Sequence, residues 1–183
     1  MEQKSKSSYM NKVVLLLLFV ISLSVKAQNE INIIPVPEKV VIPKKPGTFT
    51  ITKNTTLVLA ANGLEKSADF LNDYLQQFYG FQLKISKTDP GENAIVLNLS
   101  IVVNDQKDNA PIPGAYMFEA GKNGIHITGD NEAGAFYGIQ TLIQLLPVQK
   151  MAALPVAWVS ISDKPRFAYR GMHLDVGRHF MPT

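Results

Sequence analysis

Hydrophobic positions change their spacing along this chain, and the changes divide it into short strands and two helices. Between Leu64 and Tyr79 the residues Leu64, Ala68, Leu71, Leu75 and Phe78 recur at helical intervals on one face, and Gly80 is placed to end the helix. A second helix is predicted over Asn131–Leu146, with Asp130 as the expected N-cap and Pro147 as the stop. Around them lie runs predicted as strands: Thr48–Thr52, Thr55–Ala60, Phe81–Ser86, Ala94–Leu99, Tyr116–Ala120 and Gly124–Thr128. Lys53-Asn54 is expected to turn the first two into a hairpin. Pro35, Pro37 and Pro43 hold the opening stretch extended and confine it to a sheet edge. Asp89-Pro90-Gly91 and Pro111–Gly114 mark joints, and no repeat or low-complexity tract interrupts the pattern.

The second helix carries an internal contradiction. Gly134 and Gly138 stand four apart and share a face, although each Gly costs about 1 kcal/mol relative to Ala in a helix. Close approach of the helix backbone to another element offsets that cost, with Phe136, Ile139, Ile143 and Leu146 expected to supply apolar contact. No phosphate-binding or dinucleotide pattern surrounds these glycines, so they are read as packing residues.

The two ends of the chain differ from its middle. Lys4, Lys6 and Lys12 precede the uncharged stretch Val13–Val25, and Val25-Lys26-Ala27 follows as a small-residue exit. A basic flank, an apolar core of about 7–15 residues and such an exit describe a secretory signal peptide, expected here over residues 1–27. The apolar core is shorter than the roughly 20 residues of a membrane span, so an exported protein with no stable membrane anchor is expected. At the other end, Pro165–Pro182 reads PRFAYRGMHLDVGRHFMP. Met172–Val176 looks like a buried parallel strand, with Arg170 at its start and Arg178-His179 just past its tip. Such a strand needs neighbours on both sides. The chain is therefore expected to be the front of a longer protein.

Composition narrows the function classes. Hydrophobic residues make up 46% and charged residues 18%, which suits a globular domain. Removing the four Lys and one Glu of the first 27 residues from the chain's 18 basic and 15 acidic residues leaves 14 of each. The mature part is neutral and offers no electrostatic footprint for nucleic acid. There is no Cys, which excludes disulfides, a thiol nucleophile and thiolate metal sites. His126 falls in a predicted strand without a metal-ligand partner at useful spacing, and His173 is read as a satisfied core histidine. No metal or cofactor is expected.

The helix GAFYGIQTLIQLLP, a following segment with Pro155 read as a linker, and the run PRFAYRGMHLDVGRHFMP together resemble the family 20 glycoside hydrolases, the β-N-acetylhexosaminidases. The resemblance extends over Asn32–Pro182. It implies an α/β (α+β) N-terminal domain, mainly an antiparallel sheet backed by two helices, over residues 28–160. Residues 161–183 would be a linker and the first strand of a (β/α)8 catalytic barrel. It also implies hydrolysis of terminal N-acetyl-glucosamine or N-acetyl-galactosamine from glycans, with the substrate's acetamido group as nucleophile. The family's adjacent Asp-Glu pair is expected beyond Thr183, since the 183 residues contain no Asp-Glu dipeptide. No catalytic residue is assigned within the chain, and the chain alone is expected to be inactive.

One family site carries over. Arg178 matches the Arg that binds hydroxyls of the terminal sugar, and a guanidinium fork suits paired hydroxyls. Its structural alternative is an ion pair with Asp175. Asp175 and His179 are expected to orient Arg178, while Arg170, at the start of the strand, is read as structural. The rival functions are a stand-alone carbohydrate-binding module and a scaffold domain without a ligand. Against the first, Trp158 is the only Trp and is read as part of the linker rather than of a flat platform.

Overall fold

The computed structural model of this protein describes residues 31–102, 111–167 and 169–173. Their elements run in the order β1 (Lys39–Val41), β2 (Thr48–Ile51), β3 (Thr56–Leu59), α1 (Glu65–Tyr79), β4 (Lys84–Ser86), β5 (Ala94–Leu99), β6 (Tyr116–Ala120), β7 (Gly124–Gly129), α2 (Glu132–Leu145), β8 (Leu154–Ala157) and β9 (Val159–Asp163). The expected signal peptide, residues 1–27, lies outside the described residues.

Seven strands form one sheet in the spatial order β1-β9-β6-β7-β5-β3-β4, and β2 pairs with β8 in a second, two-stranded sheet. In the larger sheet β3 is parallel to β4 and β5, and β5 is parallel to β7. The pairs β6–β7, β6–β9 and β1–β9 are antiparallel. The expected sheet backed by two helices is there, with antiparallel pairing in one half and parallel pairing in the other. Chain connectivity accounts for the parallel half. From β3 the chain returns through α1 to start β4 at the same end, which only a crossover connection can do. A tight turn, closed by Gly121 N–H on the Gly124 carbonyl at 2.9 Å, makes β6–β7 a hairpin.

The register sets which side chains share a face. Leu57, Ile95, Ile125 and Leu97, Ile127, Phe118, Ile161 follow one another across neighbouring strands and are fully buried. Both helices cover this face, α2 across β5, β6 and β7, and α1 beside it near β3. Glu119, His126 and Ser160 alternate onto the opposite face.

Glycines let α2 sit this low. A Cβ on Gly134 would overlap the carbonyl oxygen of Ala115, and one on Gly138 would overlap the Cγ2 of Ile127. The packing reading of these glycines is the observed one. The residues that bury themselves here are Ala135, Ile139, Thr141 and Leu142, whereas Phe136 and Ile143 are only half-buried. On α1, Tyr79 is buried and Phe78 is exposed, a correction to the expected face. Gly80 ends α1 as expected, at φ 84°, with its N–H donated to the carbonyls of Leu75 and Gln76.

Four further expectations are corrected. Thr48–Thr52 and Thr55–Ala60 are not a hairpin. The turn between them is tight, with Thr55 N–H on the Thr52 carbonyl at 2.9 Å and Thr52 N–H on Thr55 Oγ1 at 3.0 Å. Yet β2 pairs with β8, because buried Phe49 and Ile51 match Val156 and Leu154 across that ladder. The segment expected as a linker with Pro155 and Trp158 is therefore β8 and β9, and β9 lies inside the sheet as far as Asp163. Strand β4 starts at Lys84 rather than Phe81. The buried Asn72 side chain takes both backbone groups of Leu83, accepting its N–H at 2.8 Å and donating to its carbonyl at 3.1 Å. Finally, Asn131 caps α2 in place of Asp130. Its extended backbone aims Oδ1 at the Gly134 N–H, 3.0 Å away. The Asp130 carboxylate accepts instead from the N–H groups of Val102 and Ile112.

Candidate functional site

After β9 the chain leaves the sheet and runs along α2. There Asp163–Phe167 and Arg170 line one side of a groove of about 470 Å³, and the opening stretch Ile33–Val36 lines the other. Polar contacts tie these two stretches to the fold. Gln144 of α2 accepts the Ile34 N–H at 2.8 Å and donates to the Ile34 carbonyl at 3.1 Å, as a neighbouring strand would. Asp163 accepts the Glu38 N–H at 3.0 Å, Lys164 pairs with Glu38 at 3.4 Å, and Arg166 donates to the Val36 carbonyl at 3.2 Å. The guanidinium of Arg170 lies over the Tyr137 ring, 5.6 Å from its centroid.

Beneath the groove, Tyr116 shares a 2.6 Å hydrogen bond with Thr141. Burial raises the Tyr116 hydroxyl above its ordinary pKa of 10.0; the Thr141 bond opposes this and the Asp163 charge adds to it. Tyr79, whose hydroxyl donates to the Pro147 carbonyl, is raised for the same first reason. A phenol raised in the folded state contributes stability that is full below the unfolded pKa and is lost as pH climbs through the folded one. The urea midpoint is thus expected to hold up to about pH 10 and to fall above it, since the ordinary value is 10.0. Tyr116→Phe should flatten that fall, and an unchanged alkaline slope in the variant would remove Tyr116 from the account.

The surface around the groove is unusually apolar. Ile34, Val36, Phe167, Tyr169 and Met172 are all at least 70% exposed. On the outer side of the helix layer, Phe70 meets Phe136 edge to face at 5.1 Å, and Tyr74 stacks with Phe78 at 4.5 Å. Exposed apolar side chains gathered beside one groove are a feature that contact sites share.

A second depression, of about 590 Å³, lies on the opposite sheet face beside Val41, Glu119, Lys122, His126 and Ser160. Glu119 and His126 stand directly across from each other. No group of three metal-ligating side chains occurs among the described residues, and no Phe, Tyr or Trp lines this depression. Trp158 sits elsewhere, its ring against Gly47 and its buried indole N–H without a partner, so it presents no flat sugar-stacking platform.

Arg178, Asp175 and His179, the residues expected to bind sugar or to orient the binding group, lie outside the described residues. So do Leu174–Val176 of the predicted strand and Thr183, beyond which the Asp-Glu pair is expected. His173 is described and is exposed, not a satisfied core histidine. Arg170 is in place beside α2. Sequence reasoning missed Tyr137, Gln144 and Asp163, because their partners are about 30 to 125 positions away and leave no local signal.

Comparison with known proteins places this domain. Residues 30–164 match the family model for glycosyl hydrolase family 20, domain 2. A β-hexosaminidase of Porphyromonas gingivalis is 34% identical over 158 residues, covering 82% of this chain and 19% of that protein. Among solved structures, the family 20 β-N-acetylhexosaminidase of Streptomyces coelicolor A3(2) is 32% identical with a TM-score of 0.65, covering 81% of this chain and 29% of that one. A mutant Streptomyces plicatus β-hexosaminidase in complex with its product GlcNAc is 30% identical with a TM-score of 0.64, covering 85% of this chain and 31% of that one. The chain thus spans about a third or less of the length of these relatives.

Proposed function

The chain belongs to glycosyl hydrolase family 20, and from that membership we propose that it is the N-terminal, non-catalytic part of an exported β-N-acetylhexosaminidase. The observation that carries the reading is the position of the family match. It ends at Lys164, where the chain leaves the sheet and the exposed apolar side chains Phe167, Tyr169 and Met172 begin. A catalytic barrel continuing from Met172 would cover them, together with the aromatic outer surface of α1 and α2.

In that enzyme the substrate is a glycan with a terminal N-acetyl-hexosamine. The acetamido oxygen of the sugar attacks the anomeric carbon, a protein carboxylic acid protonates the leaving oxygen, and a second carboxylate orients the acetamido group. Arg178 binds ring hydroxyls at the C-terminal end of the first barrel strand, where barrel active sites lie, and Asp175 and His179 orient it. The acid and the orienting carboxylate belong to a part of the enzyme beyond Thr183, since these 183 residues hold no Asp-Glu dipeptide. Residues 1–27 direct export and are removed after Ala27.

Two measurements test this. The 183-residue chain is expected to release no phenol from an aryl N-acetyl-glucosaminide, while a protein continuing it through a complete barrel hydrolyses the same compound with retention of configuration by NMR. N-terminal sequencing of the exported protein should begin at Gln28. Turnover by the 183 residues alone, or inactivity of the continued protein, would overturn the enzymatic reading.

A further inference from the structure

Tyr137 has surroundings that helix packing does not account for. It lies on the flank of α2, away from the buried stripe of Gly134, Ala135, Gly138 and Ile139. Its ring and Pro165 press together on Gly114, where a Cβ would lie 2.9 Å from each; Gly114 also holds φ 86°, so no side chain fits there. Across the groove, Arg170 covers the same ring at 5.6 Å, with Nη2 3.5 Å from the Tyr137 hydroxyl. Among the described residues Arg170 has no carboxylate partner, the one ion pair being Lys164–Glu38. Along α2 Tyr137 meets Phe136 edge to face at 6.4 Å, and Phe136 meets Phe70 of α1. A series of side-chain contacts therefore runs from Phe70 of α1 through Phe136 and Tyr137 of α2 to the Arg170 guanidinium.

We infer that Tyr137 is a positioning residue, which clasps Arg170 and Pro165 and so fixes where the segment after β9 begins its next strand. The ring is the working part. A cation over an aromatic face is attracted by the ring quadrupole whether or not the ring bears a hydroxyl, whereas a salt bridge at this exposed place would be weak. Gly114 is the seat that lets ring and Pro165 approach together. The functional weight of the clasp rests on the reading above, in which the strand starting here carries Arg178 at its far end. Displacing its start would then move the guanidinium relative to the sugar.

Limited trypsin digestion of the 183-residue chain tests the clasp without any activity assay. Tyr137→Leu is expected to speed cleavage after Arg170 roughly two- to fivefold, the range expected for loss of an exposed cation–π contact. Tyr137→Phe keeps the ring and should stay near the wild-type rate. Cleavage after Lys84, in the edge strand β4 at the other end of the sheet, reports opening of the fold away from the clasp and should not change in step. Unchanged cleavage after Arg170 in the Leu variant, or an equal rise at Lys84, would overturn the clasp. In a protein continued through the barrel, Tyr137→Leu should raise KM for an aryl N-acetyl-glucosaminide more than it lowers kcat, with Phe restoring both. An unaltered KM there would overturn the positioning role. A continued protein inactive in every form would sink the enzymatic reading alone, since digestion still decides the clasp.

Discussion

Replacing Arg178 with Ala in the proposed full-length enzyme is expected to lower kcat/KM on an aryl N-acetyl-glucosaminide by about 10²–10⁴. Hydrogen bonds to a charged group contribute roughly 1.5–3 kcal/mol each, and a guanidinium fork offers two of them to neighbouring hydroxyls. At about 1.4 kcal/mol per factor of ten, two such bonds give that range. The catalytic carboxylates would be untouched, so the loss should come with an unchanged far-ultraviolet spectrum. Lys at the same position keeps the charge but not the planar fork, and should recover only part of the activity. A near-wild-type kcat/KM for Arg178→Ala would end its assignment as a sugar-binding residue. Loss of secondary structure in the variant would point instead to the ion pair with Asp175.

The second large effect belongs to the fold, and it runs against helix propensity. On propensity alone, Gly134→Ala should stabilise α2 by about 1 kcal/mol. In place, the new Cβ meets the Ala115 carbonyl and the backbone at Gly129, neither of which can rotate away. The helix must then lift from the sheet, loosening the contacts of the fully buried Ile139 and Leu142. Overpacking of this kind costs about 1–3 kcal/mol and should outweigh the propensity gain, so the urea midpoint falls. Gly138→Ala provides a graded comparison. There the obstacle is the Cγ2 of Ile127, a side-chain atom, and a shift of that side chain can relieve part of the overlap. The expected order of stability is wild type, then Gly138→Ala, then Gly134→Ala. A raised midpoint for Gly134→Ala would mean that α2 is not seated on its glycines.

Much of the candidate site was legible only by analogy. The segment with Arg170 and Arg178 stood out because an apolar run with charged ends resembles a barrel strand, and the family match, which ends at residue 164, stops short of it. The groove did not stand out. Its contacts join Ile34 to Gln144, Glu38 to Asp163 and Tyr137 to Arg170, separations of 110, 125 and 33 positions. Residues so far apart carry no mutual spacing rule, and a Gln or Tyr on a helix flank reads as solvated until its partner is seen.

What the sequence by itself determined is what neighbouring residues can decide. Leu64, Ala68, Leu71 and Leu75 specify the buried side of α1, and Gly80 specifies its end, because periodicity and a left-handed residue act within a few positions. Paired glycines in α2 announced a close approach for the same reason: their local cost demands a compensating contact. Only the tertiary structure decided which contact that was, and to whom each strand belongs. Thr52–Thr55 makes its turn, but whether the next strand folds back depends on Leu154 and Val156, about a hundred residues on. The residues expected as a linker became β8 and β9 because β8 found its partner in β2 and β9 found a place between β6 and β1. Asp130 had the right chemistry for a cap and was used instead to hold Val102 and Ile112, once Asn131 had the extended backbone that capping needs. Local propensity selects among shapes of a segment, whereas the partner of a segment is selected by burial across the whole fold.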